Sequence, residues 1–144
     1  MTNVEKAISS FRDDLNCAQS VLSTFSTQYG LNLDTALKLA SGFGGGMGRL
    51  GNTCGAVTGA FMVIGLKNGM GIDKNTDAKE KTYQLIRKFS EKFKDMHGSL
   101  MCKQLLGCDI STTDGKEYFN QNDLFEKKCL QYVKNAVKIL EEII

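Results

Sequence analysis

Cys54 stands where a thiol is expected to be reactive, because it follows a glycine-rich segment and opens an apolar run. The glycines of residues 44–51 allow sharp backbone bends, and Asn52 or Thr53 can cap the helix that follows. Free amides and the helix dipole at a helix start favour a thiolate. The pattern therefore predicts an acidic Cys54 that serves in redox chemistry or in metal binding.

Two further cysteines have a similar setting. Cys17 directly follows Asn16, a good helix cap, and Cys102 falls in the first turn after Ser99. Cys129 lies on the apolar stripe of the last predicted helix, where packing alone accounts for it. Free cysteines are often small buried hydrophobes, so a purely structural role is the alternative for each thiol.

The spacing of the five cysteines excludes the compact motifs. Cys102 and Cys108 do not form the C-x-x-C of thioredoxin-like or zinc-ribbon sites, so a metal site would need ligands from distant helices. In a cytosolic chain, reductants keep ordinary thiols reduced. The cysteines therefore indicate transient thiol chemistry or metal ligation rather than a disulfide scaffold.

Residues 46–51 spell G-x-G-x-x-G, which resembles a nucleotide-binding loop. That motif works after a β-strand in a parallel sheet, whereas a helical pattern precedes it here. We expect no nucleotide site. His97, the only histidine, follows a charged helix and is predicted to be a surface residue at that helix's end.

The chain of 144 residues is 42% hydrophobic and contains no proline. These values and apolar spacings of three and four predict one all-α domain over residues 1–144, a compact bundle of about five to seven helices with a glycine-rich turn. Residues 107–115 are predicted to be a loop, and the nearly all-apolar helix after Cys54 is predicted to be central. The helices are expected near residues 4–11, 17–29, 34–40, 54–67, 76–96, 100–106 and 122–142.

Composition also limits the partners. The net charge of +2 comes from 18 basic and 16 acidic residues that are interspersed, which argues against nucleic-acid binding. The longest apolar run, residues 54–66, is shorter than the roughly 20 residues that span a membrane. The first residues lack a signal-peptide pattern. We therefore expect a cytoplasmic protein that binds neither nucleic acid nor membrane.

Taken in order, these segments resemble the redox-active protein family named for its cysteine signature, C_GCAxxG_C_C. The resemblance covers nearly the whole chain, although neither Asn16-Cys17-Ala18 nor Thr53-Cys54-Gly55-Ala56 spells GCAxxG. The segments that carry it are residues 16–22, 43–48, 54–60 and 102–107, and Cys129 ahead of Val133 and Ala136. The resemblance implies a helical protein with a thiol redox role, whose signature thiols are Cys17, Cys54, Cys102 and Cys129 rather than Cys108.

Two functional hypotheses follow, and they share one cluster of sulfurs. In the first, a Cys54 thiolate attacks a disulfide or oxidant, and Cys17 or Cys102 resolves the intermediate, as in an oxidoreductase or electron-transfer protein. In the second, Cys17, Cys54, Cys102 and Cys129 hold zinc or an iron-sulfur cluster. The redox partner is not identified, a cofactor is not required by the first hypothesis, and a homo-oligomer is left open.

Overall fold

A computed structural model describes all residues from 1 to 144. The chain forms eight α-helices, a 3₁₀ turn at Ser41–Phe43 and a π-helical segment at Phe125–Cys129, and it has no β-strand. The all-α prediction is confirmed. In chain order the helices are α1 (Asn3–Arg12), α2 (Cys17–Ser26), α3 (Leu33–Ala40), α4 (Gly55–Asn68), α5 (Thr76–His97), α6 (Cys102–Leu106), α7 (Thr113–Gln121) and α8 (Leu130–Ile143).

The predicted number of five to seven helices is too low because α7 lies partly in the predicted loop of residues 107–115 and otherwise in residues 116–121, for which no helix was predicted. The Thr112 hydroxyl caps this helix by accepting a hydrogen bond from the Gly115 amide at 2.9 Å. The helix is largely exposed, with Phe119 half-buried. It therefore lacks the apolar periodicity on which the prediction depended.

Capping residues mark where the helices begin and end. Asn16 caps α2 in a reciprocal pair of hydrogen bonds with Gln19. Asn32 caps α3 by accepting a hydrogen bond from the Thr35 amide at 3.1 Å, so the helix begins at Leu33, one residue before the predicted start. At the other end of α5, Gly98 adopts a left-handed conformation (φ 86°) that only glycine takes at low cost.

One hydrophobic core joins all the long helices, and α4 lies within it. Gly55, Gly59 and the apolar residues between them are mostly buried, and α4 makes its most extensive contact with α2. Gly59 permits this contact, because a Cβ there would lie 2.8 Å from the Ala18 carbonyl oxygen. The central position predicted for this helix agrees with the structure.

The lengths and hydropathies of the helices also bear on the membrane prediction. None of the eight combines enough residues with enough apolar character to cross a bilayer.

Candidate functional site: a cysteine cluster beside an open cavity

Cys17 is the first residue of α2, and two hydrogen bonds fix its position. The Asn16 side chain accepts from the Gln19 amide at 2.8 Å and donates to the Ser41 carbonyl at 3.0 Å. The start of α2 is therefore attached to the 3₁₀ turn that follows α3. The polar cap thus positions the thiol and does not react itself.

Gly55 brings the start of α4 against Cys17. A Cβ at Gly55 would lie 3.0 Å from the Ala18 nitrogen and 3.1 Å from Cys17 Cβ. Cys54, which immediately precedes Gly55, is therefore carried close to the start of α2. A glycine is needed here because the two helix starts approach without space for a side chain.

Backbone pairing joins Cys54 to Cys102. The Cys54 amide donates to the Leu100 carbonyl at 2.8 Å, and the Cys102 amide donates to the Asn52 carbonyl at 2.7 Å. These bonds surround a single antiparallel bridge between Thr53 and Met101. Two cysteines that are far apart in sequence therefore begin helices side by side.

The segment from residue 44 to residue 51 is a series of turns that packs on Cys102. Gly46 has a φ of 68°, and a Cβ there would lie 2.7 Å from Cys102 Cβ and 2.6 Å from the Asn52 nitrogen. The Gly46 carbonyl is also held in place, because it accepts a hydrogen bond from the Asn52 backbone amide at 2.9 Å. Both the positive φ and the close approach require glycine.

Cys129 ends the π-helical segment that leads into α8. The Leu130 amide donates to the Phe125 carbonyl, five residues back, which widens the helix by one residue. The last helix was predicted to run unbroken from residue 122, and the structure divides it at this point. Such π segments often occur at functional sites, and this one turns Cys129 toward α2.

The π segment and α8 also hold α6. Lys128 Nζ donates to the Leu105 and Leu106 carbonyls at 3.2 and 3.4 Å, and the Tyr132 hydroxyl donates to the Leu105 carbonyl at 2.9 Å. These donors satisfy carbonyls that the end of a short helix leaves free. The helix that begins with Cys102 is thereby attached to the segment that carries Cys129.

Three of the cysteines line one open cavity of about 420 Å³, within the size range of small-ligand sites. They are Cys17, Cys102 and Cys129. Cys54 lies behind the wall and is 4% exposed. The other lining residues are aromatic, aliphatic, amide, glycine and cationic: Phe11, Asn16, Gly45, Gly46, Arg49, Gly55, Leu106, Ile110, Lys116, Phe119, Asn120 and Phe125.

The electrostatics of Cys54 are opposite to the sequence-based prediction. Burial, together with the neighbouring Cys102 and Cys129, raises the pKa of its thiol to about 12. The amides of Ala56 and Val57 at the start of α4 do lower the pKa, as expected of a helix start, but burial exceeds their effect. Cys54 is therefore a protonated, buried thiol and not an accessible thiolate.

The thiols of Cys17 and Cys129 influence each other's ionisation through a side-chain hydrogen bond. The bond and burial raise the pKa of Cys17 well above its ordinary value, whereas the bond from Cys17 lowers the pKa of Cys129. Lys128 lowers the pKa of Cys129 as well. Cys17 therefore keeps its proton and donates it, and Cys129 is the cysteine of the cluster that ionises first.

The remaining thiols stay protonated. Burial and the nearby Cys129 raise the pKa of Cys102 to about 12. Burial also raises the pKa of Cys108, which is half-buried and does not line the cavity. All five cysteines are free thiols. We define the cysteine cluster as Cys17, Cys54, Cys102 and Cys129.

The metal-binding hypothesis required these four sulfurs to form a ligand set. No group of three or more His, Cys, Asp or Glu side chains is arranged so that it could hold a metal ion. His97 lies outside the cavity, where its Nε2 accepts a hydrogen bond from the Asn135 amide group at 3.1 Å. The structure thus brings the predicted cysteines together without forming a metal-ligand geometry.

Sequence reasoning missed the cationic residues of the site. Lys128 directly precedes Cys129, and this adjacency was a usable signal for a charge beside a thiol. Arg49 lies within the glycine-rich segment, whose interpretation depended on the glycines and not on the charge of the arginine. Lys116 carried no signal, because it belongs to a helix, α7, that was not predicted.

Comparison with known proteins identifies the family of the chain. The model of one protein family, described as putative redox-active protein (C_GCAxxG_C_C), matches residues 15–143 and so includes every cysteine in the chain. Comparisons with curated proteins and with solved structures returned no match. Because the match extends over nearly the whole sequence, the chain belongs to the C_GCAxxG_C_C family of putative redox-active proteins.

Proposed function

We propose that the protein exchanges thiols with disulfides, with Cys129 as the attacking sulfur and Cys17 as the resolving sulfur. The observation that carries this proposal is the pairing of these two thiols at the wall of an open cavity. A thiolate attacks disulfides and a thiol does not. Cys129 is stabilised as a thiolate by the Cys17 donor and by Lys128, and the cavity gives it access to a substrate.

The reaction balances in two steps. The Cys129 thiolate attacks one sulfur of a bound disulfide, which forms a mixed disulfide and releases the other half as a thiolate. That thiolate takes the Cys17 proton, and the Cys17 sulfur then attacks Cys129 Sγ and releases the second half, which is protonated from solvent. The cysteine pair loses two electrons and becomes a disulfide, while the substrate gains them as two thiols.

Cys54 and Cys102 differ in this proposal from the roles that the sequence suggested. Cys54 is sealed behind the cavity wall and protonated, so it does not make the first attack. Cys102 is at the wall but its pKa is raised. Both thiols lie close to the reacting pair, and neither makes the first attack.

The proposal can be tested by disulfide mapping. Protein purified without oxygen is treated with one equivalent of a small disulfide, and peptides are identified by mass spectrometry. We expect loss of two thiols and a Cys17–Cys129 disulfide. In Cys17→Ser the mixed disulfide should accumulate on Cys129, and Cys129→Ser should not form it. Cys108→Ser is the matched control, because it removes a half-buried thiol outside the cavity.

Two results would contradict the proposal. One is a disulfide that joins another pair, or five thiols that stay unchanged under these conditions. The other is stoichiometric zinc, or iron with sulfide, in the protein before oxidation, which would favour the metal-binding alternative for the same cysteine cluster.

A further inference from the structure

The cavity next to the cysteine pair has a marked charge asymmetry. Arg49 and Lys116 line it, and no aspartate or glutamate does. Neither cation takes part in an ion pair within the protein. The two charges reach the cavity from different elements, since Arg49 lies in the glycine-rich turns and Lys116 on α7. A cavity with this lining attracts anions.

Arg49 lines the cavity from a turn with an unusual backbone conformation. Its φ of 63° lies in the left-handed region, which is uncommon for a residue with a side chain. A Cβ at Gly45 would lie 2.8 Å from Arg49 Cγ, so the arginine stem lies directly over Gly45. The turns that place Gly46 against Cys102 therefore also place Arg49 in the lining of the cavity that contains the thiols.

Part of the cavity lining is aromatic. Phe11 and Phe125 stack with ring centroids 4.1 Å apart, and Phe119 lines the same space. Phe125 remains 36% exposed although it is a large hydrophobic residue. Aromatic walls with a few polar groups are typical of sites for small, partly apolar ligands. The volume of about 420 Å³ suits such a molecule and not a folded protein.

We propose that the substrate is a small, partly apolar disulfide that carries a carboxylate or another anionic group. This inference rests on the proposed exchange reaction and adds to it the class of molecule. The anionic group would lie between Arg49 and Lys116, the apolar part against Phe11 and Phe125, and the disulfide beside Cys129. Cys129 and Cys17 then transfer two electrons to the substrate disulfide and form a disulfide themselves, and two small thiols leave.

The test compares two aromatic disulfides of similar size. Dithiobis-nitrobenzoate carries two carboxylates, and dithiodipyridine is neutral. Their rates of reaction with the Cys17–Cys129 pair are measured in a Cys108→Ala background, which removes the half-buried thiol outside the cavity. The Arg49→Gln/Lys116→Gln variant should lower the ratio of the two rates about tenfold, because electrostatic attraction of the dianion is lost. Added salt should lower the same ratio in the parent protein.

The matched control is Arg87→Gln/Lys88→Gln. It removes one arginine and one lysine that are exposed on α5 and do not line the cavity. We expect the rate ratio of this variant to equal that of the parent. Equal thermal unfolding curves for both double variants would show that each is folded. An unchanged ratio in the cavity variant, or an equal fall in the control, would overturn the inference.

A second measurement separates this inference from the exchange reaction. Nitrobenzoate has the ring and the carboxylate but no disulfide, and it should slow alkylation of Cys129 by iodoacetamide in the parent but not in Arg49→Gln/Lys116→Gln. Such protection without any disulfide exchange would contradict the proposed function and support the ligand class. Exchange with both disulfides but no protection and no charge preference would contradict the ligand class alone.

Discussion

The thiols of Cys17, at the start of α2, and Cys129, at the end of the π segment, line the same cavity, and a side-chain hydrogen bond between them links their ionisation. Three local features position the two residues: the Asn16 cap, the close approach of the helices at Gly55 and the π-helical turn before Leu130. The bond raises the pKa of Cys17 and lowers the pKa of Cys129. It therefore distinguishes an attacking sulfur from a resolving sulfur in a pair of chemically identical side chains.

Removal of the donor should make Cys129 less acidic. In Cys17→Ala the Cys129 thiolate loses the hydrogen bond that contributes most to lowering its pKa, so its pKa should rise. The pH midpoint of Cys129 alkylation by iodoacetamide, followed by mass spectrometry, should move to higher pH. Cys108→Ala is the control, because it leaves the Cys17 donor in place. An unmoved midpoint in Cys17→Ala would show that the bond does not set the ionisation.

Lys128 should act on the same midpoint through its charge. In Lys128→Gln the pKa of Cys129 should rise, because the nearby ammonium lowers it. Lys127→Gln removes an exposed charge one residue earlier and should leave the midpoint unchanged. Tyr132→Phe also removes a hydrogen bond to Leu105 but no charge. Tyr132→Phe should lower the free energy of unfolding by about 1 kcal/mol and leave the pH midpoint of Cys129 alkylation unchanged. A shift of that midpoint in Tyr132→Phe would indicate that Lys128 acts by positioning the segment and not by its charge.

The sequence predicted the helices that have an apolar face and a cap. It did not predict α7 or the ionisation of Cys54, because neither depends on a local pattern of residues. The cap at Asn16 and the apolar run after Cys54 are local signals, and α2 and α4 were correctly expected from them. The ionisation of Cys54 depends on burial by distant segments, and a local pattern carries no such information. The helix-start effect on its thiol is present, but a tertiary effect is larger. Nearly all residues of α7 are exposed, so its sequence has no apolar periodicity that would predict a helix.

Gly46 should be the most sensitive glycine of the turn segment. In Gly46→Ala, the left-handed backbone costs about 1–2 kcal/mol. The new Cβ would also meet Asn52 and Cys102, and overpacking adds about 1–3 kcal/mol. Gly48→Ala is a matched control, since its φ of 59° is similar and no atom lies within 4 Å of the new Cβ. Urea unfolding should show a larger loss for Gly46→Ala, and equal losses would mean that the approach to Cys102 is not restrictive.

His97 should make stability depend on pH. Burial lowers its pKa, and its Nε2 accepts from Asn135, which requires the neutral ring. The folded state therefore binds fewer protons than the unfolded state near the ordinary histidine pKa of about 6.5, so the contribution is complete above that pH and is lost on acidification.

Chemical unfolding of the wild type should show a decrease in stability from about pH 7.5 to about pH 5.5, the range that brackets histidine titration. His97→Gln keeps a polar side chain but cannot titrate, so its stability should fall less over the same range. The ring of His97 packs against Phe93 and Tyr132, with centroids 4.7 and 4.9 Å away, and some stability is expected to be lost at every pH. The change in slope is therefore the diagnostic quantity, and parallel curves for the two proteins would show that His97 does not cause the acid sensitivity.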